Sequence, residues 1–216
     1  TVPCSTKWMR GTVNSFYIGI IATFIATVLG TMAALGLSRP HMPYKALIMS
    51  ILISPMIVPL IITAAGMFFF YARINLVYTF TGVILAHVAL ATPFVVITVT
   101  ATLVGFDMNM VKAAQSLGAK PMRTFFKVIM PLILPGIISG ALFAFITSFD
   151  EVVIVMFMAS IDQLTIPKQM WAGIRQEISP VILCMATCLV ILSIVLLTTV
   201  ELLRRRAERL RGIKAR

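Results

Sequence analysis

Two adjacent acids, Asp150 and Glu151, stand inside an otherwise apolar stretch that runs from Phe143 to Val155. They are two of only seven acids in 216 residues. A charged side chain within a membrane helix costs about 2.5–3.5 kcal/mol on insertion scales, and such a position usually marks a function facing the bundle interior. A carboxylate pair there would attract a cation. Phe149 next door would offer the cation an aromatic face. On a helix turning about 100° per residue, Gly136, Gly140, Ala144, Thr147 and Glu151 fall on one narrow stripe. Small residues on a stripe let neighbouring helices pack closely. Asp150 then points about 100° away, so the two acids do not face one path together. Counted from Pro131, the pair lies about 27–30 Å along the helix, between the bilayer middle and its outer edge. The competing reading is an acid pair near the outer interface that ties helices together or meets water.

Other chemistry-bearing residues carry weaker signals. Trp171 and Arg175 stand in a mixed-charge segment, where they would touch a substrate or a docked external protein, or simply anchor at the interface. His87 lies alone in Leu85-Ala-His-Val-Ala-Leu90 and reads as a packing residue. Cys4, Cys184 and Cys188 form neither a disulfide framework nor a zinc pattern. The chain has no Gly-x-x-x-x-Gly-Lys-Ser/Thr loop, no His-Glu-x-x-His and no Gly-x-Ser-x-Gly. No catalytic residue, metal site or cofactor of its own is therefore expected. If the chain's work needs ATP, another chain hydrolyses it.

The elements that carry these residues are set by an apolar composition. Hydrophobic residues make up 60% of the chain, charged residues only 12%, and mean hydropathy is +1.03. That leaves too little polar surface for a water-facing globule, so lipid is the expected solvent. Five runs are long enough to span as helices: Asn14–Leu37, Ala46–Phe70, Gly82–Leu103, Leu132–Val155 and Val181–Val200. The expected fold is an all-α, polytopic membrane helix bundle forming a single domain over residues 1–216. The net charge of +11 does not indicate nucleic acid, because seven of the eighteen basic residues crowd into the tail after Val200. Thirteen basic residues fall on one side of the spans and five on the other. The richer side is expected to be cytoplasmic, with the N-terminus outside and the C-terminus inside. No signal peptide is read in the first residues, and the chain opens on Thr1, which leaves room for residues upstream. Two connections are long. Residues 104–131 would form a cytoplasmic loop of two short helices, Met108–Leu117 capped by Gly118 and a second starting near Pro121. Residues 156–180 would form an external loop with a short amphipathic segment. Pro55, Pro59 and Pro93 interrupt helical bonding and are candidate hinges, although proline is common in membrane helices.

Within the cytoplasmic loop, Lys112-Ala113-Ala114-Gln-Ser-Leu-Gly118 is followed after nine residues by Val128-Ile129-Met130-Pro131. This resembles the Glu-Ala-Ala loop of binding-protein-dependent ABC importer permeases. Ala113, Ala114, Gly118 and Pro131 match in type and spacing, while Lys112 stands where the family usually has an acid. Asn14-Ser15, the Gly30 to Arg39 stretch, Pro55 and Pro59 extend the resemblance over nearly the whole chain, although members commonly carry one more N-terminal span. Ser148 to Val153 is similar to the matching stretch of spermidine/putrescine permeases. The resemblance implies a type I importer permease fold in a bacterial inner membrane and a polyamine or related organic amine as substrate. It implies that the loop docks on an ATPase subunit through Ala113, Ala114, Gly118 and Pro131. The implied partners are two ATPase subunits carrying ATP and Mg, a second, non-identical permease subunit, and an external substrate-binding protein. The substrate path would pass Phe149, Asp150, Glu151 and Trp171. A stand-alone secondary transporter or cation channel using Asp150 and Glu151 is the alternative, and it would have no use for a docking loop.

Overall fold

Each long apolar run folds as helix, which satisfies every backbone group within its own segment. The computed structural model describes residues 2–39, 42–104, 109–176 and 180–210. In chain order its helices are α1 (Val2–Leu37), α2 (Lys45–Ile57), α3 (Leu60–Arg73), α4 (Phe80–Val104), α5 (Asn109–Ser116), α6 (Pro121–Thr124), α7 (Met130–Phe149), α8 (Val153–Met158), α9 (Ile166–Gln176) and α10 (Pro180–Leu210). A π-helical turn, Phe125–Ile129, joins α6 to α7.

The core is a triangle of α1, α4 and α7. α4 is apolar on all sides and takes the centre, burying Val83, Val88, Val95, Val96 and Val99. Its neighbours approach it with small residues. α1 buries Ala22, Ala26, Gly30 and Ala34 at four-residue spacing, and a Cβ on Gly30 would stand 2.7 Å from that of Val95. α7 presents Gly136 and Gly140, where an added Cβ would run into the hydroxyls of Thr102 and Thr98. With little hydrophobic drive between helices in lipid, such close contact is what holds them together. The expected α7 stripe is therefore present as Gly136, Gly140 and Ala144, but it continues through buried Ser148, with Thr147 only half-buried. α10 lies largely outside the core, with Val190, Ile191 and Ile194 more than half exposed.

Among the described residues, four helices are long and apolar enough to cross a membrane, and up to five if a bent pair counts as one span. That pair, α2 and α3, is the expected span over Ala46–Phe70, and it is bent by 104°. The bend falls at Val58-Pro59. Val58 is extended, as a residue before proline prefers, and Pro59 has no N–H with which to continue the helix. Pro93, by contrast, sits buried inside an unbroken α4.

A second departure concerns the fourth span. Residues from Pro121 to Phe149 form one 29-residue rod, so the second short helix of the loop is the beginning of the span itself. Pro131 cannot donate to the Lys127 carbonyl, and the turn before it opens to π spacing, with the Met130 N–H bonding the Phe125 carbonyl. At its other end the rod stops at Phe149 and does not run on to Val155. The expected external loop correspondingly starts after α8, at Ala159, and its amphipathic segment is α9. Residues 105–108, which include the expected helix start at Met108, lie outside the described residues. The same holds for residues 177–179, for the side chain of Arg175 and for the basic side chains of the tail.

Candidate functional site

At the Asp150 end, α7 closes with the Asp150 N–H bonding the Ile146 carbonyl at 3.0 Å. Val152 then starts α8. The two acids meet different fates at this break. Asp150 is exposed. Glu151 is 7% exposed, and its Oε1 accepts the Ile154 N–H at 2.9 Å. Glu151 thus serves a first-turn N–H of α8, which has no partner within its own helix.

Side chains of α4 and α1 hold the last turn of α7. His87 Nδ1 and Ser148 Oγ share a buried 2.8 Å hydrogen bond that fastens α4 to α7, while His87 Nε2 has no partner among the described residues. Phe149 is buried, its ring 5.1 Å from Phe16 and 5.3 Å from Phe145 between centroids. The aromatic face expected to meet a cation is therefore packed against two rings of its own chain.

The segment after α8 is stapled to α1. Asn14 Nδ2 donates to the carbonyls of Asp162 (2.7 Å) and Leu164 (3.0 Å). Ser15 Oγ accepts the Ile166 N–H at 2.9 Å, capping α9. Gln169 Nε2 donates to the Lys7 carbonyl at 2.9 Å. Lys168 reaches back from α9, its Nζ donating to the carbonyls of Val155 (3.1 Å) and Ala159 (3.0 Å). Trp171 stands exposed on α9. The sequence marked Asn14-Ser15 only as the opening of a span and Lys168 only as an external charge. Their partners lie up to about 150 residues away in the chain, beyond any spacing pattern.

The other end of the rod carries the loop. α5 ends in a reversal at Gly118, whose φ is +78°. The Gly118 N–H bonds the Gln115 carbonyl at 2.9 Å and the Ala119 N–H bonds the Ala114 carbonyl at 3.1 Å. This paired pattern is the Schellman cap, and its left-handed residue favours glycine. Pro121 then takes the first helical turn of α6, as expected. The result is a short helix folded beside the base of the rod. Ala113 is exposed on it and Leu117 is 88% exposed. Ala113, Ala114 and Gly118 therefore sit together on this hairpin, with Pro131 on the exposed side of the rod beneath it.

Comparison with known proteins places this arrangement. Residues 26–209 match the family described as binding-protein-dependent transport system inner membrane component. The chain is 29% identical over 198 residues to the spermidine/putrescine transport system permease protein of Haemophilus influenzae, covering 92% of this chain and 77% of that one. It is 30% identical over 180 residues to the putrescine transport system permease protein of Escherichia coli, covering 80% and 64%. In fold it matches the methionine ABC transporter in an inward-facing conformation, with a TM-score of 0.69 at 20% identity over the whole of both chains. The helix order and packing are those of a type I ABC importer permease. This chain belongs to the family of binding-protein-dependent transport system inner membrane components: it is a multi-pass ABC importer permease.

Proposed function

We infer that the chain is the permease subunit of an ATP-driven importer for a polyamine or related organic amine. The observation that carries this reading is the single rod from Pro121 to Phe149, with the α5 hairpin at one end and Asp150 at the other. Twenty-nine residues of helix are about 43 Å long, more than the hydrocarbon core of about 30 Å. A push on the hairpin by a docked ATPase would therefore reach the acid break on the far side.

Two ATPase subunits, holding ATP and Mg, would seat the hairpin around Ala113, Ala114 and Gly118. The excess of basic residues at the hairpin end favours that end as cytoplasmic, with the N-terminus outside. An external binding protein would deliver substrate, and a second, non-identical permease would complete the path. Two named relatives carry spermidine or putrescine in their descriptions. Of the acid pair, Asp150 is the one free to meet an ammonium, because Glu151 is committed to α8.

Reconstitution of the complex with its binding protein in proteoliposomes tests the reading. Asp150→Asn should lower labelled spermidine uptake about tenfold, the order expected for one lost charge-assisted contact, while ATPase activity of the assembled complex persists. Undiminished spermidine uptake by Asp150→Asn would overturn the assignment of the path.

A further inference from the structure

α8 has only six residues. A helix leaves four N–H and four carbonyl groups without partners at its ends, and in α8 local backbone bonds meet only some of them, the Ala159 N–H closing on the Val155 carbonyl at 3.0 Å and the Met156 N–H on that of Val152 at 2.9 Å. Nor does so short a segment hold its shape alone. Glu151 serves its N-terminal end. At the other end the Tyr78 N–H bonds the Met158 carbonyl at 2.9 Å, and the Lys168 ammonium bonds Val155 and Ala159.

Lys168 is the one of these partners that comes from the segment stapled to α1. Its helix begins where Ser15 caps Ile166 and is held again where Gln169 reaches the Lys7 carbonyl. The continuous series of contacts is therefore α1 to α9, α9 through Lys168 to α8, and α8 through Glu151 to the residue beside Asp150. Burial lowers the Lys168 pKa, so its ammonium has lost water that the two carbonyls replace.

We propose that Lys168 is a positioning residue for substrate passage, closing the carbonyl end of α8 and thereby holding the break that presents Asp150. The proposal rests on the reading of Asp150 as the amine-facing acid. Without Lys168, the Val155 and Ala159 carbonyls lose their charged donor, α8 loses its link to α9, and Asp150 is no longer held in register with the path. Lys168 itself touches no substrate.

A double-mutant cycle in the reconstituted full complex separates this from a general role in folding. Spermidine uptake and ATPase activity are measured together for wild type, Asp150→Asn, Lys168→Met and the pair, with Lys168→Arg as the conservative variant. Lys168→Met should lower spermidine uptake per ATP hydrolysed at least several-fold. Lys168→Arg should restore most of it, because a guanidinium still donates to both carbonyls. In the Asp150→Asn background, Lys168→Met should add no further loss. Independent, multiplying losses would overturn the proposal, as would a loss of uptake and ATPase activity in parallel. If Asp150→Asn itself leaves uptake intact, the reading of the path falls and this proposal with it; if only Lys168→Met is silent, the proposal alone falls. Should Lys168→Met fail to assemble, Lys168→Gln, which is shorter and carries no charge, takes its place in the cycle, and undiminished spermidine uptake per ATP in Lys168→Gln would overturn the proposal.

Discussion

At the Pro121 end of the rod, Leu117, Met122 and Phe126 stand exposed, and the α5 hairpin is held mainly by its own backbone bonds around Gly118. At the Asp150 end, three polar side chains are held within the chain: His87 Nδ1 by Ser148, Glu151 by Ile154, Lys168 by Val155 and Ala159. The first end spreads apolar surface around a compact fold, as a docking element does. The second ties these side chains to its own chain and leaves the Asp150 carboxylate exposed. Each such bond contributes about 1 kcal/mol net, but leaving a buried partner unpaired costs about 1–3 kcal/mol. The acid end is therefore the more brittle to side-chain loss.

The contrast is tested first where both ends depend on one shaft. Gly140→Val would drive side-chain carbons into Thr98 and against Val95, whose Cα would lie 3.0 Å from the new Cβ. Overpacking of that kind costs about 1–3 kcal/mol or more, here with backbone on the far side and no flexible tip to yield. The expected outcome is a sharp fall in folded, detergent-stable chain by size-exclusion profile. An unchanged profile would mean that the α4–α7 contact is looser than the geometry says.

A smaller effect is expected at the acid end. Glu151→Leu keeps bulk but leaves the Ile154 N–H without its acceptor, at a cost of about 1–3 kcal/mol. Glu151→Gln retains an acceptor oxygen and should cost less. Thermal unfolding of the purified chain, followed by tryptophan fluorescence, should rank wild type above Gln and Gln above Leu. Equal stability of Gln and Leu would mean that the buried contact to α8 contributes nothing.

Much of this contrast was legible in the sequence at the hairpin end, where the determinants are local. Gly118 announces a left-handed cap and Pro121 a helix start, and both do what their chemistry requires. The membrane spans were legible too, because apolar length is a property of each run. The acid end was not. Val152-Val153-Ile154-Val155 continues the apolar run, so nothing in hydropathy separates α8 from α7. What separates them is a side-chain carboxylate turning back onto the backbone and a lysine reaching back from thirteen residues onward. The proline at position 59 was visible as a potential hinge, but the 104° turn it allows depends on how α2 and α3 pack, and periodicity does not encode that.

The account turns on the hairpin being the place where an ATPase takes hold of the rod. The direct measurement is copurification of the tagged chain from bacterial membranes, wild type against Ala113→Trp. Ala113 is exposed, so the substitution should leave the chain itself folded. The account predicts that an ATPase subunit comes with the wild-type chain and is lost with Ala113→Trp, while a sister permease stays with both. Retention of the ATPase by Ala113→Trp would contradict it.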